Sequence, residues 1–215
     1  MISKKKAVAY IDVMENLFPD AHCELNYRNA FELTLAVLLS AQTTDKMVNV
    51  LTSSLFEKYK TPEDYLAVTL EELQNDVRTI GLYRNKAKSI QQLCQIVLDK
   101  HGGEIPPVYE ELVKLPGVGR KTANVVLSVG FDVPAIAVDT HVERIAKRLE
   151  MAKKSASVLE VEERLMYLLP KERWSKSHHV MIFFGRYHCT ARNPKCATCP
   201  LLMECKYGQR ELKNK

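Results

Sequence analysis

An all-α fold is what this 215-residue chain predicts, on three observations. Apolar positions recur at helical spacing almost everywhere, breakers cut the chain into segments of ordinary helix length, and no convincing period-two alternation is present to build a sheet. With 46% hydrophobic residues the chain can bury a genuine core, as one large domain or two compact ones.

Taken in order, Ala7, Ile11, Met14 and Phe18 mark a first helical stripe that stops at Pro19. Asn29 to Leu39 is nearly continuous apolar (Phe31, Leu33, Leu35, Ala36, Val37, Leu38, Leu39) and reads as a helix buried on most of its surface, the spine of its domain. Met47, Val50, Leu51 and Leu55 mark the next helix, and Ile90, Leu93 and Val97 another. Thr61-Pro62, Gly81, His101-Gly102-Gly103, Pro106-Pro107, Gly130, Pro134 and Pro170 punctuate the rest, leaving about ten helices. There is no internal repeat, low-complexity tract or long linker, so a second domain has to pack closely against the first.

Charge is unevenly distributed. Residues 1 to 107 hold 12 basic and 14 acidic side chains, and 108 to 215 hold 19 and 12, so a net −2 is followed by a net +7. A polyanion-facing C-terminal half suits that asymmetry. No apolar run reaches the roughly 18 residues of a membrane span, and Met1 leads into Lys4, Lys5 and Lys6 without a signal-peptide stretch, so a cytoplasmic protein is expected.

Leu115-Pro116-Gly117-Val118-Gly119 joins a short helical stretch, Val108 to Lys114, to a second running from Arg120 to Val129 and closing at Gly130. Two glycines one residue apart let backbone approach a ligand closely, and amides at the start of the second helix carry positive potential, so the turn can hold a phosphate. With Arg120-Lys121-Thr122-Ala123-Asn124 following, the segment (about 108–130) resembles the helix-hairpin-helix motif of DNA-binding proteins, which grips backbone phosphate without reading sequence.

Lys121 sits in the first turn of that second helix, where the helix dipole and Arg120 favour a neutral amine, a nucleophile able to attack a sugar C1′ and form a Schiff base. It can equally be one more phosphate-contacting cation. Asp139 follows the apolar run Ala135-Ile136-Ala137-Val138 and precedes Thr140 and Glu143, which are spaced as a capping box. Its carboxylate can serve a helix N-terminus, or stabilise a developing sugar cation and shuttle a proton. His141 can orient the site or meet phosphate.

Four of six cysteines crowd together as Cys189, Cys196, Cys199 and Cys205, spaced C-x6-C-x2-C-x5-C, while Cys23 and Cys94 stand alone. Metal ligation fits this clustering better than disulfides do. Four thiolates in one loop suit a cube of four irons and four sulfides, with tetrahedral zinc as the alternative. Either would freeze a short basic loop carrying Arg192 and Lys195, suited to phosphate contact.

Leu115 to Asn124, Val138-Asp139-Thr140-His141 and the cysteine spacing together resemble the endonuclease III family over nearly the whole chain. The resemblance implies two helical domains flanking a DNA-binding cleft: a six-helix barrel with the hairpin (23–133), and a discontinuous cluster domain (1–22 and 134–215). It implies a monomeric glycosylase that removes oxidised pyrimidines from double-stranded DNA and nicks the abasic site. Lys121 would be nucleophile, Asp139 its essential carboxylate, and a [4Fe-4S] cluster a structural cofactor. Gly117, Val118, Gly119, Arg120 and Thr122 would bind DNA. Leu39 to Asp45 and Ile80 to Tyr83 are similar to the family's two wedge segments, so Gln42 and Leu82 would fill the gap left by a flipped nucleotide, which must leave the stack for its C1′ to be reached. The related adenine-specific mismatch glycosylase lacks the lysine and carries a further C-terminal domain, whereas here Lys121 is present and ten residues follow Cys205. A noncatalytic DNA-binding module is the rival of another class.

Overall fold

The computed structural model describes residues 1–213, and among these no strand occurs. The α-helices are α1 (Lys4–Leu17), α2 (Ala30–Leu39), α3 (Asp45–Lys58), α4 (Pro62–Leu66), α5 (Leu70–Asp76), α6 (Tyr83–His101), α7 (Tyr109–Leu112), α8 (Arg120–Val125), α9 (Thr140–Arg148), α10 (Val158–Leu168), α11 (Trp174–Phe183) and α12 (Lys206–Lys213). No helix among the described residues is long and apolar enough to cross a membrane.

Two compact units share the chain. One is residues 24–132, and the other joins 1–23 to 133–215. In the 24–132 unit, α2 is buried at every position from Phe31 to Leu39, as its continuous apolar run predicts. Its single charge is Glu32, whose carboxylate meets the Arg28 guanidinium at 2.7 Å and so is not left alone in the interior. Tyr65, Leu73, Ile90, Leu93 and Leu112 of the later helices are buried in the same unit, with the Tyr65 ring edge-on to Phe31 of α2 at 5.8 Å. In α3 the buried stripe is Val48, Leu51 and Leu55, while Met47 and Val50 are exposed. The expected stripe therefore mixes two faces: Met47 and Val48 are adjacent in sequence, so roughly 100° of helical rotation separates them.

The second unit wraps the stripe Ala7, Ile11 and Met14 of α1 in Ile145 of α9, Val161 and Leu165 of α10, and Val180, Met181 and Phe184 of α11 and the turn beyond it. This apolar burial carries the N-terminal helix into the C-terminal unit. Arg173 pins it further, bonding Asp12 at 2.6 Å and Glu15 at 2.8 Å.

Two helix limits differ from expectation at the hairpin. Its first helix is the single turn α7, not Val108 to Lys114. Its second, α8, passes at Val126 into a π-helical turn ending at Gly130. Such π turns widen a helix locally.

Candidate active site and cluster site

At the hairpin, Gly117 has φ +78°, a left-handed conformation that a Cβ would strain, and the Cβ would stand 2.6 Å from Leu38 Cδ1. Gly119 caps α8 in extended conformation with open space where its Cβ would be. The two glycines thus have different jobs: the first is required by the turn and its packing, while the second leaves an unobstructed path to backbone. Val118 is buried between them, its amide bonded to the Leu115 carbonyl at 3.0 Å. Arg120 donates to the Tyr109 hydroxyl at 3.3 Å, bridging α7 and α8, and Thr122 is half-buried. Lys121 is exposed in the first turn of α8.

Asp139 is itself the N-cap of α9. Its Oδ1 accepts the amides of His141 and Val142, both at 2.8 Å. This corrects the expected Thr140/Glu143 capping box: Thr140 already lies inside the helix, and Glu143 pairs with Lys147. Both cap bonds fall on Oδ1, so Oδ2 has no part in the cap. The half-buried His141 lies beside Arg144, whose Nη2 is 3.2 Å from its Nδ1.

Gln42 and Leu82 are both exposed, and both hold left-handed backbone, at φ +56° and +60°. For residues with a Cβ this costs about 1–2 kcal/mol each. Their turns lie side by side: a Cβ on Gly81 would be 3.9 Å from the Gln42 carbonyl oxygen.

Cys189, Cys196, Cys199 and Cys205 line one cavity, together with Phe184, His188, Leu202, Tyr207 and Gly208, and none is in a disulfide. A Cβ on Gly208 would sit 3.6 Å from the sulfurs of both Cys196 and Cys205. Four thiols lining one cavity supply the four thiolates that an iron-sulfur cluster takes. Burial pushes the Cys199 thiol up to about 11, so loading a cluster displaces protons. Arg148 braces the loop, donating to Cys189 Sγ at 3.2 Å and to the carbonyls of Thr190 and Ala191 at 2.8 and 3.1 Å. Arg192 and Lys195 are exposed on it.

The sequence reading missed Lys86, Arg144 and Arg148. Lys86 was detectable, because it falls four residues before Ile90 on the buried face of α6. Nothing in the spacing of Arg144 and Arg148 distinguishes backbone carbonyls from phosphates as their partners.

These features define a class of helix-hairpin-helix DNA repair proteins. Residues 35–171 match the model of the HhH-GPD superfamily base excision DNA repair protein, and residues 189–202 that of the iron-sulfur binding domain of endonuclease III. Endonuclease III of Bacillus subtilis (strain 168) is 60% identical over 210 residues, covering 98% of this chain and 96% of the relative. That of Escherichia coli (strain K12) is 42% identical over 209 residues, 97% of this chain and 99% of the relative. Two solved structures, a trapped endonuclease III-DNA covalent intermediate and a non-covalent endonuclease III-DNA complex, superpose with TM-scores of 0.96 and 0.97. Each is 60% identical and covers 99% of this chain and 100% of its own. The chain belongs to the endonuclease III family. It is a base-excision repair DNA glycosylase and abasic-site lyase, with DNA as partner and a [4Fe-4S] cluster as cofactor.

Proposed function

We propose that the chain, acting as a cytoplasmic monomer, excises oxidised pyrimidines from double-stranded DNA and cleaves the resulting abasic site, with Lys121 as nucleophile and Asp139 as its carboxylate partner. The observation that carries the reading is the exposed Lys121, two residues beyond Gly119 on the hairpin, in a chain 60% identical to a protein trapped in a covalent intermediate with DNA. Such a bond needs a protein nucleophile close to a gripped phosphate.

In this mechanism the hairpin segment Gly117, Val118, Gly119, Arg120 and Thr122 holds a backbone phosphate, placing the sugar over Lys121. The neutral amine attacks C1′, and the base departs with a proton. The oxocarbenium character that develops is stabilised by Asp139, whose Oδ2 takes no part in the helix cap. The sugar ring then opens as C1′–O4′ breaks, O4′ taking up the proton the lysine nitrogen gives up, which leaves an imine at C1′; loss of a C2′ proton from it expels the 3′ phosphate by β-elimination, and hydrolysis frees the lysine. Gln42 and Leu82 fill the gap that extrusion leaves. His141, and Arg192 and Lys195 on the cysteine loop, add phosphate contacts. The cluster's chemistry here is structural: it ties the loop of Cys189, Cys196, Cys199 and Cys205 into one conformation.

Single-turnover assays on duplexes containing thymine glycol, undamaged thymine or an abasic site test this. Excision of the glycol, sparing of thymine and nicking at both damaged sites are expected. Nicking of the abasic duplex with no excision of any oxidised pyrimidine would overturn the substrate assignment.

A further inference from the structure

Lys86 is only 5% exposed, and its Nζ donates to the Leu39 carbonyl at 2.8 Å and to Thr43 Oγ1 at 3.0 Å. Those acceptors bracket the turn that presents Gln42. Leu39 is the last residue of α2, so its carbonyl has no acceptor role within the helix, and a cation also suits the negative end of the helix dipole. The Lys86 backbone amide donates to the Leu82 carbonyl at 3.0 Å, closing the first turn of α6 behind the other left-handed tip. One residue therefore holds both strained loops, by its ammonium on one side and its amide on the other. Burial disfavours the charged amine and pushes its pKa down. A methionine would fill similar volume without that desolvation cost but would leave the Leu39 carbonyl without its donor.

We infer that Lys86 is a positioning residue for base extrusion, locking the Gln42 and Leu82 turns into one rigid wedge pair. The inference rests on the gap-filling role proposed for Gln42 and Leu82. A wedge acts only where a stacked partner strand must be held apart, so the two bonds from Nζ matter for duplex substrate and not for a nucleotide already unstacked.

The test compares borohydride-trapping rates on an abasic site in a duplex and on the same oligonucleotide single-stranded, using the cluster-loaded enzyme. Lys86→Met is expected to slow the duplex reaction by about 10- to 100-fold while leaving the single-stranded rate within about twofold. Gln42→Ala and Leu82→Ala, run alongside, are expected to show the same selectivity. Should those two variants lack it, the wedge reading fails and takes the inference with it. Should they show it while Lys86→Met does not, or while Lys86→Met slows both substrates equally, the wedge reading stands and the positioning role is overturned. If Lys86→Met does not fold, Thr43→Ala decides: it removes one of the two Nζ acceptors, so a smaller duplex-selective loss supports the role and unchanged selectivity refutes it.

Discussion

Asp139 caps α9, and the catalytic role proposed for the same carboxylate can be separated from that cap. Asparagine caps a helix about as well as aspartate, so Asp139→Asn should keep α9 and the melting temperature close to wild type while excision falls by about 10²–10⁴-fold. Asp139→Ala should lose activity to a similar extent and, in addition, about 1 kcal/mol of stability. Thermal melts beside single-turnover rates distinguish the two, and an active Asp139→Asn enzyme would reduce the residue to a cap. The hairpin glycines separate in the same way. Gly117→Ala forces a Cβ into left-handed backbone against Leu38 and should destabilise the fold by about 1–3 kcal/mol. Gly119→Ala meets nothing within 4 Å and should leave stability intact while weakening DNA binding. Unchanged DNA affinity in Gly119→Ala would show that close approach is not what this glycine serves, and an unshifted melt in Gly117→Ala would contradict the packing role of the first.

Among the elements, the cysteine loop and α9 form a braced pair. Arg144 of α9 reaches the Gly185 and Cys189 carbonyls at 2.6 and 3.3 Å, and Arg148 holds Cys189 Sγ. The exposed cations of the loop, Arg192 and Lys195, are the phosphate contacts proposed for it. Replacing either with alanine should weaken binding about equally across DNA sequences and reduce the slope of log K against log salt by about 1, measured by fluorescence anisotropy. An unchanged slope would assign them to solvent. The α10 cap responds to acid. Ser157 and the Glu160 carboxylate cap reciprocally, and these bonds hold the Glu160 carboxyl below its usual range. The cap's contribution is therefore complete above the ordinary glutamate pKa and is lost as pH falls through the lowered value. Helix composition made much of this legible. The uninterrupted apolar run from Phe31 to Leu39 could only be interior, and the sequence separation of Thr140 from Glu143 was right for a box, but the residue one place earlier had the better oxygen. Limits such as the one-turn α7 and the π turn after Val125 are set by packing across the unit, which no local pattern carries.

For the whole molecule, two units built from three stretches of chain place the hairpin lysine in one and the capping aspartate and cysteines in the other. Motif residues were readable in sequence because each is bound to local chemistry: a Gly-x-Gly turn, a residue before a helix, four clustered thiols. The burial of Lys86 was readable from its place before Ile90, but its partner 47 positions away was not, and the partners of Arg144 and Arg148 are carbonyls and a sulfur comparably distant in sequence. Cluster loss should act on the loop first. Cys199→Ser should abolish the iron-sulfur absorbance and open 189–205 to proteolysis before the 24–132 unit yields, because that unit has its own core. The central claim, that Lys121 forms the covalent bond to DNA, is tested most directly by trapping wild-type enzyme on an abasic duplex with borohydride and mapping the adduct by peptide mass spectrometry. The account predicts a reduced sugar adduct on Lys121, and no covalent band from folded, cluster-loaded Lys121→Ala. An adduct on another residue, or undiminished trapping by that variant, would contradict it.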